Sequence, residues 1–208
     1  MNADGSNQRK LRAAGQDGWG FQGHAEWSPR GDALVMFGGA SNNPQIFTTD
    51  VNGQNAVQVT NRGGTNIDPS FSPDGRWILF VGCPQPVCYP TDYEIYAQSR
   101  SSSTLLRITN DNLRDHDPYL SPDGSTISWL TELSAGSWDV RIGNLAGAAS
   151  RTLYGDGAVT SRAVWENSRT LLVHRLARGD LGFQVYRVNS DGSGSQRLTS
   201  GSSNEYPG

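Results

Sequence analysis

His24, Asp68, Asp117 and Arg162 are four ionisable residues that share one position in a repeating frame. Each lies three residues before an aromatic or apolar anchor, at Trp27, Phe71, Leu120 and Trp165. Imidazole, carboxylate and guanidinium groups brought to a common point can exchange protons or grip a charged segment of a ligand. If the frame curls around an axis, the four side chains form a ring at the mouth of a central channel, and that ring is the candidate partner-binding site. The same positions also suit the capping of strand ends and the bridging of neighbouring repeats, which require no ligand.

Cys83 and Cys88 are the two cysteines of the chain and sit five residues apart in Cys83-Pro84-Gln85-Pro86-Val87-Cys88. Two thiols without a nearby second pair or paired histidines do not make a zinc site. The expectation is a local disulfide that orders an extra loop, with free thiols as the alternative. The acidic run from Asp111 to Asp117 offers oxygen ligands of the kind calcium takes. It lacks the spacing of an EF-hand loop, and Arg114 competes for the carboxylates. A solvated loop is expected there. His24, His116 and His174 show no metal-ligand spacing, and no G-x-S-x-G nucleophile turn occurs. Gly18 to Gly23 satisfies G-x-G-x-x-G, but no helical pattern follows to present its amides to a phosphate, so a loop is expected. The sequence thus predicts no catalytic residue, no metal and no cofactor.

The elements that must position these residues are strands. FSPDG beginning at Phe71 returns as LSPDG at Leu120, and in degraded form as WSPRG at Trp27 and WENSR at Trp165, with spacings of 44, 49 and 45. Closing residues Leu11, Val59, Ile108, Leu153 and Leu198 keep the same phase. So does a ladder of Gln45-Ile46-Phe47, Glu94-Ile95-Tyr96, Asp139-Val140-Arg141 and Gln184-Val185-Tyr186. A period of this length fits one four-stranded blade per repeat. Short apolar runs such as Trp77 to Val81 and Leu171 to His174, bounded by Gly, Pro, Asn, Asp and Ser, read as strands. In SPDG, Pro73 and Pro122 pre-set φ while Gly75 and Gly124 accept a positive φ, which makes the motif a hairpin turn.

The predicted fold is all-β: a β-propeller of four four-stranded blades plus one extra N-terminal strand, forming an arc of a larger propeller. Residues 1–208 read as a single domain, with repeats at approximately 12–59, 60–108, 109–153 and 154–198 and partial units at both ends. Asn2 to Ser6 matches Asn189 to Ser193, so the chain starts in mid-blade, and unpaired blade edges would allow self-association. A net charge of -3 provides no basic field for nucleic acid, and no apolar run is long enough for a transmembrane segment.

The Asp-Gly-Ser turn, the following Leu-Thr, Asp-Pro ahead of FSPDG, and then Ile-Tyr resemble the WD-like propeller repeat of the TolB family. The resemblance covers essentially the whole chain. It is closest at Asp68 to Gly75, Glu94 to Tyr96 and Asp117 to Gly124, and departs from the pattern at Trp165 to Arg169. It implies a six-bladed, periplasmic or extracellular propeller that binds a protein or peptide. Met1-Asn2-Ala3-Asp4 lacks the basic region and apolar core of a signal peptide, so that address rests on the resemblance and the cysteine pair. Related propellers precede the hydrolase domains of prolyl oligopeptidases, and propeller parts of a larger hydrolase or lyase are the alternative reading.

Overall fold

A computed structural model describes residues 6, 8, 10–11, 19–83, 93–146 and 150–201. Among these residues, sixteen strands form four antiparallel sheets, each with its strands in sequence order. Blade 1 comprises β1 (Phe21–Trp27), β2 (Ala33–Ala40), β3 (Asn43–Asp50) and β4 (Val57–Gln58). Blade 2 comprises β5 (Asn66–Phe71), β6 (Trp77–Gly82), β7 (Glu94–Ser99) and β8 (Leu105–Arg107). Blade 3 holds β9 (Arg114–Leu120), β10 (Ile127–Ser134), β11 (Ser137–Gly143) and β12 (Arg151–Thr152). Blade 4 holds β13 (Val159–Asn167), β14 (Thr170–Leu176), β15 (Gln184–Asn189) and β16 (Gln196–Arg197). The first strands β1, β5, β9 and β13 are successive neighbours and line the inner side of the arc. No helix occurs among the described residues. The extra N-terminal strand expected before residue 12 lies largely outside them, as does the repeat fragment at Glu205 to Gly208.

The SPDG motifs close their hairpins as their chemistry requires. Gly75 N–H donates to Ser72 O and Gly124 N–H to Ser121 O, at 2.8 and 2.7 Å, with φ of 70° and 72°. The Ser72 hydroxyl donates to Asp74 Oδ1 and accepts from Trp77 N–H, which locks the turn from inside. In the degraded WENSR segment the Asn167 side chain supports the turn instead, its Oδ1 accepting from Arg169 N–H at 2.9 Å. The segment turns from β13 to β14 in two residues, pairing Asn167 with Thr170.

Apolar faces of consecutive blades form the core, about 25 cal/mol for each Å² of apolar surface removed from water. Phe71, Ile78 and Phe80 pack on Val35, Phe37 and Ile46. Leu120, Ile127 and Trp129 pack on Leu79, Val81 and Ile95, and Ala163, Leu171 and Val173 on Leu130, Val140 and Ile142. Each anchor therefore packs on the blade before its own. Trp27 is the exception at 59% exposed, because among the described residues no blade precedes blade 1.

Candidate functional site

The inner strands share an irregularity that the sequence does not announce. In β1, β5 and β9 the pairing register slips by one residue: between Gly23 and Glu26, between Ile67 and Ser70, and between His116 and Tyr119. At each bulge one non-glycine residue takes a left-handed backbone, His24 with φ 48° and Asp68 and Asp117 each with φ 49°. A proline follows both aspartates, and the residue before a proline ordinarily stays extended with negative φ. A left-handed non-glycine residue costs about 1–3 kcal/mol and persists only where its surroundings over-determine it, most often at functional sites. Here the same cost recurs in three successive blades, and it points three side chains at one place.

The ligating atoms of His24, Asp68 and Asp117 lie within 4.8 Å of one another. His24 Nδ1 is 3.2 Å from Asp68 Oδ1 and 3.9 Å from Asp117 Oδ1. Asp68 Oδ2 faces His116 Nδ1 at 2.8 Å, so one carboxylate joins imidazoles from blades 1 and 3. On the other side of His24, Nε2 lies 3.4 Å from the Tyr119 hydroxyl, which donates to Glu26 Oε1 at 2.7 Å. Hydrogen bonds to Asp68 and then Glu26 push His24 up to about 10, making it a cation at neutral pH. Burial works against ionisation of Asp68, but the bonds from His116 and His24 outweigh it and hold the carboxyl down at about 2. Asp117 is pushed up, by burial first and by the Asp68 charge second.

Three of the four predicted ring residues are thus brought together, and Arg162 is not among them. In blade 4 the bulge falls between Thr160 and Arg162, which makes Ser161 the extra residue and leaves Arg162 in regular register opposite His174. Arg162 is exposed and reaches Asp117 and Tyr119 only through its charge. The expected four-membered ring is therefore corrected to a three-membered cluster with a peripheral cation. Sequence reasoning missed Glu26 and Tyr119, although both lie two residues beyond ring positions, where strand alternation returns a side chain to the same face. It also passed over His116, which packs 5.4 Å from both Tyr93 and Trp138. A hollow of about 370 Å³ beside the cluster is lined by His116, Asp117, Arg114, Trp138 and Ser161. A second of about 230 Å³ borders His24.

The acidic run also differs from expectation. Arg114 to Asp117 belong to β9 and Asp115 is completely buried, because the strand, rather than a loop, begins inside the run. Phe21 to Gly23 of the glycine-rich segment likewise belong to β1, with no helix following. Cys83 is buried at the end of β6, and Cys88 lies outside the described residues.

Blades arranged in sequence order around converging inner strands, with a polar cluster where those strands meet, define a β-propeller arc. No family profile matches the chain. A TolB homolog of Chlorobaculum tepidum is 30% identical over 108 residues, 52% of this chain and 24% of that protein. An uncharacterized protein of Agrobacterium fabrum is 28% identical over 105 residues, 50% of this chain and 34% of that protein. The chain thus matches well under two thirds of the length of these relatives. A TolB candidate from Agrobacterium tumefaciens superposes with a TM-score of 0.72 at 18% identity, over 85% of this chain and 64% of that one. An oligogalacturonate lyase of Vibrio parahaemolyticus gives 0.63 at 14% identity, over 82% and 50%. A prolyl endopeptidase gives 0.66 at 17% identity, over 88% and 29%. The fold is that of a TolB-like β-propeller, and it is shared with enzymes as well as with TolB.

Proposed function

We propose that this chain is a non-catalytic interaction module whose channel mouth binds a protein or peptide partner in the cell envelope, with His24, Asp68 and Asp117 at its centre and Arg162 at its rim. The observation that carries this reading is the left-handed bulge repeated in three blades, which spends backbone energy to aim three ionisable side chains at one point. A cationic His24 beside anionic Asp68, with an exposed arginine nearby, suits a segment bearing both charges. The adjoining hollow, walled by Trp138 and Leu130, suits an apolar side chain between them. Likeness to TolB supports an envelope location, and the proposed Cys83–Cys88 disulfide fits an oxidising compartment.

A random peptide display library panned on the wild type supplies the probe. Enriched peptides should bind His24→Gln and Asp117→Asn at least about tenfold more weakly, as expected when one partner of a desolvated charge pair is removed. Arg162→Ala should slow association more than it speeds release. Equal binding by all three variants would remove the channel mouth from the interface and leave the cluster a bridge between blades.

A second reading is favoured by the likeness to the lyase and the prolyl endopeptidase: four blades of a propeller that screens a hydrolase or lyase centre elsewhere in a longer protein. A nucleophile turn in the parent reading frame, followed by loss of that hydrolysis on serine replacement, would establish it over the first.

A further inference from the structure

We infer that the interface between blades 2 and 3 binds a hard divalent cation of the calcium class through the carboxylates of Glu94, Asp111 and Asp115. The three offer oxygens within 4.8 Å of one another, at a place separate from the His24 cluster. Glu94 is 1% exposed and Asp115 is completely buried, yet Glu94 Oε2 and Asp115 Oδ2 have no hydrogen-bond partner. Two orphaned carboxylate oxygens buried at one interface are costly unless a cation or a proton lies beside them.

The other oxygen of Glu94 and of Asp115 is held from outside, as ligands to a metal usually are. Arg107 Nη2 and Asp111 N–H donate to Glu94 Oε1 at 3.1 and 3.0 Å. The Thr131 hydroxyl donates to Asp115 Oδ1 at 2.6 Å. Leu113 N–H and Arg141 Nη1 hold the two oxygens of Asp111. Two guanidinium groups thus face three carboxyls. Thr109 sits against both Glu94 and Asp115 but has one hydroxyl proton to share. Burial, with help from Asp111 and Glu94, pushes Asp115 up to about 7, as expected where a counter-charge is missing.

The repeat supplies its own control. At the position of Glu94, blades 1 and 4 carry Gln45 and Gln184. Each donates its amide nitrogen to the carbonyl seventeen residues on, Arg62 O and Gly201 O, at 2.8 Å. At the position of Asp115, blade 2 carries Asn66, which also donates within this network. The interface of blades 1 and 2 therefore carries two amides, whose one orphaned oxygen, Asn66 Oδ1, is neutral, and the next interface has two carboxyls in their place. All-oxygen ligation with several acidic groups is what calcium takes, and magnesium accepts less readily.

The test is a titration of chelator-treated protein with CaCl2 and with MgCl2, followed by calorimetry and thermal melting. Calcium should bind once per chain with a Kd of about 10⁻⁴–10⁻³ M. It should raise Tm by roughly 5–10 °C at a hundredfold excess over Kd. Glu94→Gln and Asp115→Asn, which copy the neighbouring blades, should melt in chelator at or above the wild type and lose the response. Asp117→Asn, at the axis, should keep it. Should the buried variants fail to fold, exposed Asp111→Asn must lose the response by itself. A wild type indifferent to about 10 mM of either cation overturns the site. Stabilisation by mild acid without calcium binding would assign the pair to a shared proton instead, and a response kept by Glu94→Gln would place the cation elsewhere.

Discussion

Because His24 is held protonated and Asp68 ionised, the axial cluster loses strength on both sides of neutrality. A histidine raised to about 10 contributes fully below its unfolded value near 6.5, and progressively less as pH climbs toward 10. An aspartate lowered to about 2 contributes fully above its unfolded value near 3.8, and the contribution is lost as pH falls through that window. Melting curves of the wild type and His24→Gln should therefore differ most at pH 5–6 and converge by about pH 10. A gap that widened with rising pH would contradict a cationic His24. At this scale the sequence was only partly readable. The shared offset before the anchors identified His24, Asp68 and Asp117, whereas their left-handed backbone could not be seen, since the prolines after Asp68 and Asp117 argue locally for extension. Arg162 kept the offset and lost the geometry, because blade 4 places its bulge at Ser161.

At the scale of the element, the hairpins were legible because their chemistry is local: a proline, an aspartate and a glycine suffice to fix the turn without help from distant residues. Gly124 makes this testable. An added Cβ would touch nothing within 4 Å, so Gly124→Ala isolates the penalty of its φ of 72°. Stability by urea denaturation should fall by about 1 kcal/mol with an unchanged m-value. The acidic run misled for the opposite reason. Composition alone marks Asp111 to Asp117 as solvated, and only the packing of β9 against blade 2 shows that Asp115 is enclosed while Asp111 stays outside. Burial of a charge is decided by a neighbouring element whose approach no local window contains.

On the scale of the whole molecule, each blade rests on its predecessor, and Trp27 is exposed where the equivalent anchors Phe71 and Leu120 are buried. An exposed indole favours association with a second apolar surface. Sedimentation at increasing concentration should show weaker self-association for Trp27→Ser than for the wild type; identical behaviour would assign association, if any, to the strand edges.

The polar pairs between blades carry one further meaning. Amide faces amide between blades 1 and 2, carboxyl faces carboxyl between blades 2 and 3, and between blades 3 and 4 buried Arg175 pairs with Asp156 of the connecting loop. Repeats with interchangeable hydrophobic surfaces could dock out of order, or trade places between two copies of the chain. Three unlike pairings make each seam accept only its own neighbour, so that a blade shuffled by one position would bury an amide against a carboxylate or strand a guanidinium. The seams act as an address for every blade, written in charge where shape and oiliness are nearly the same.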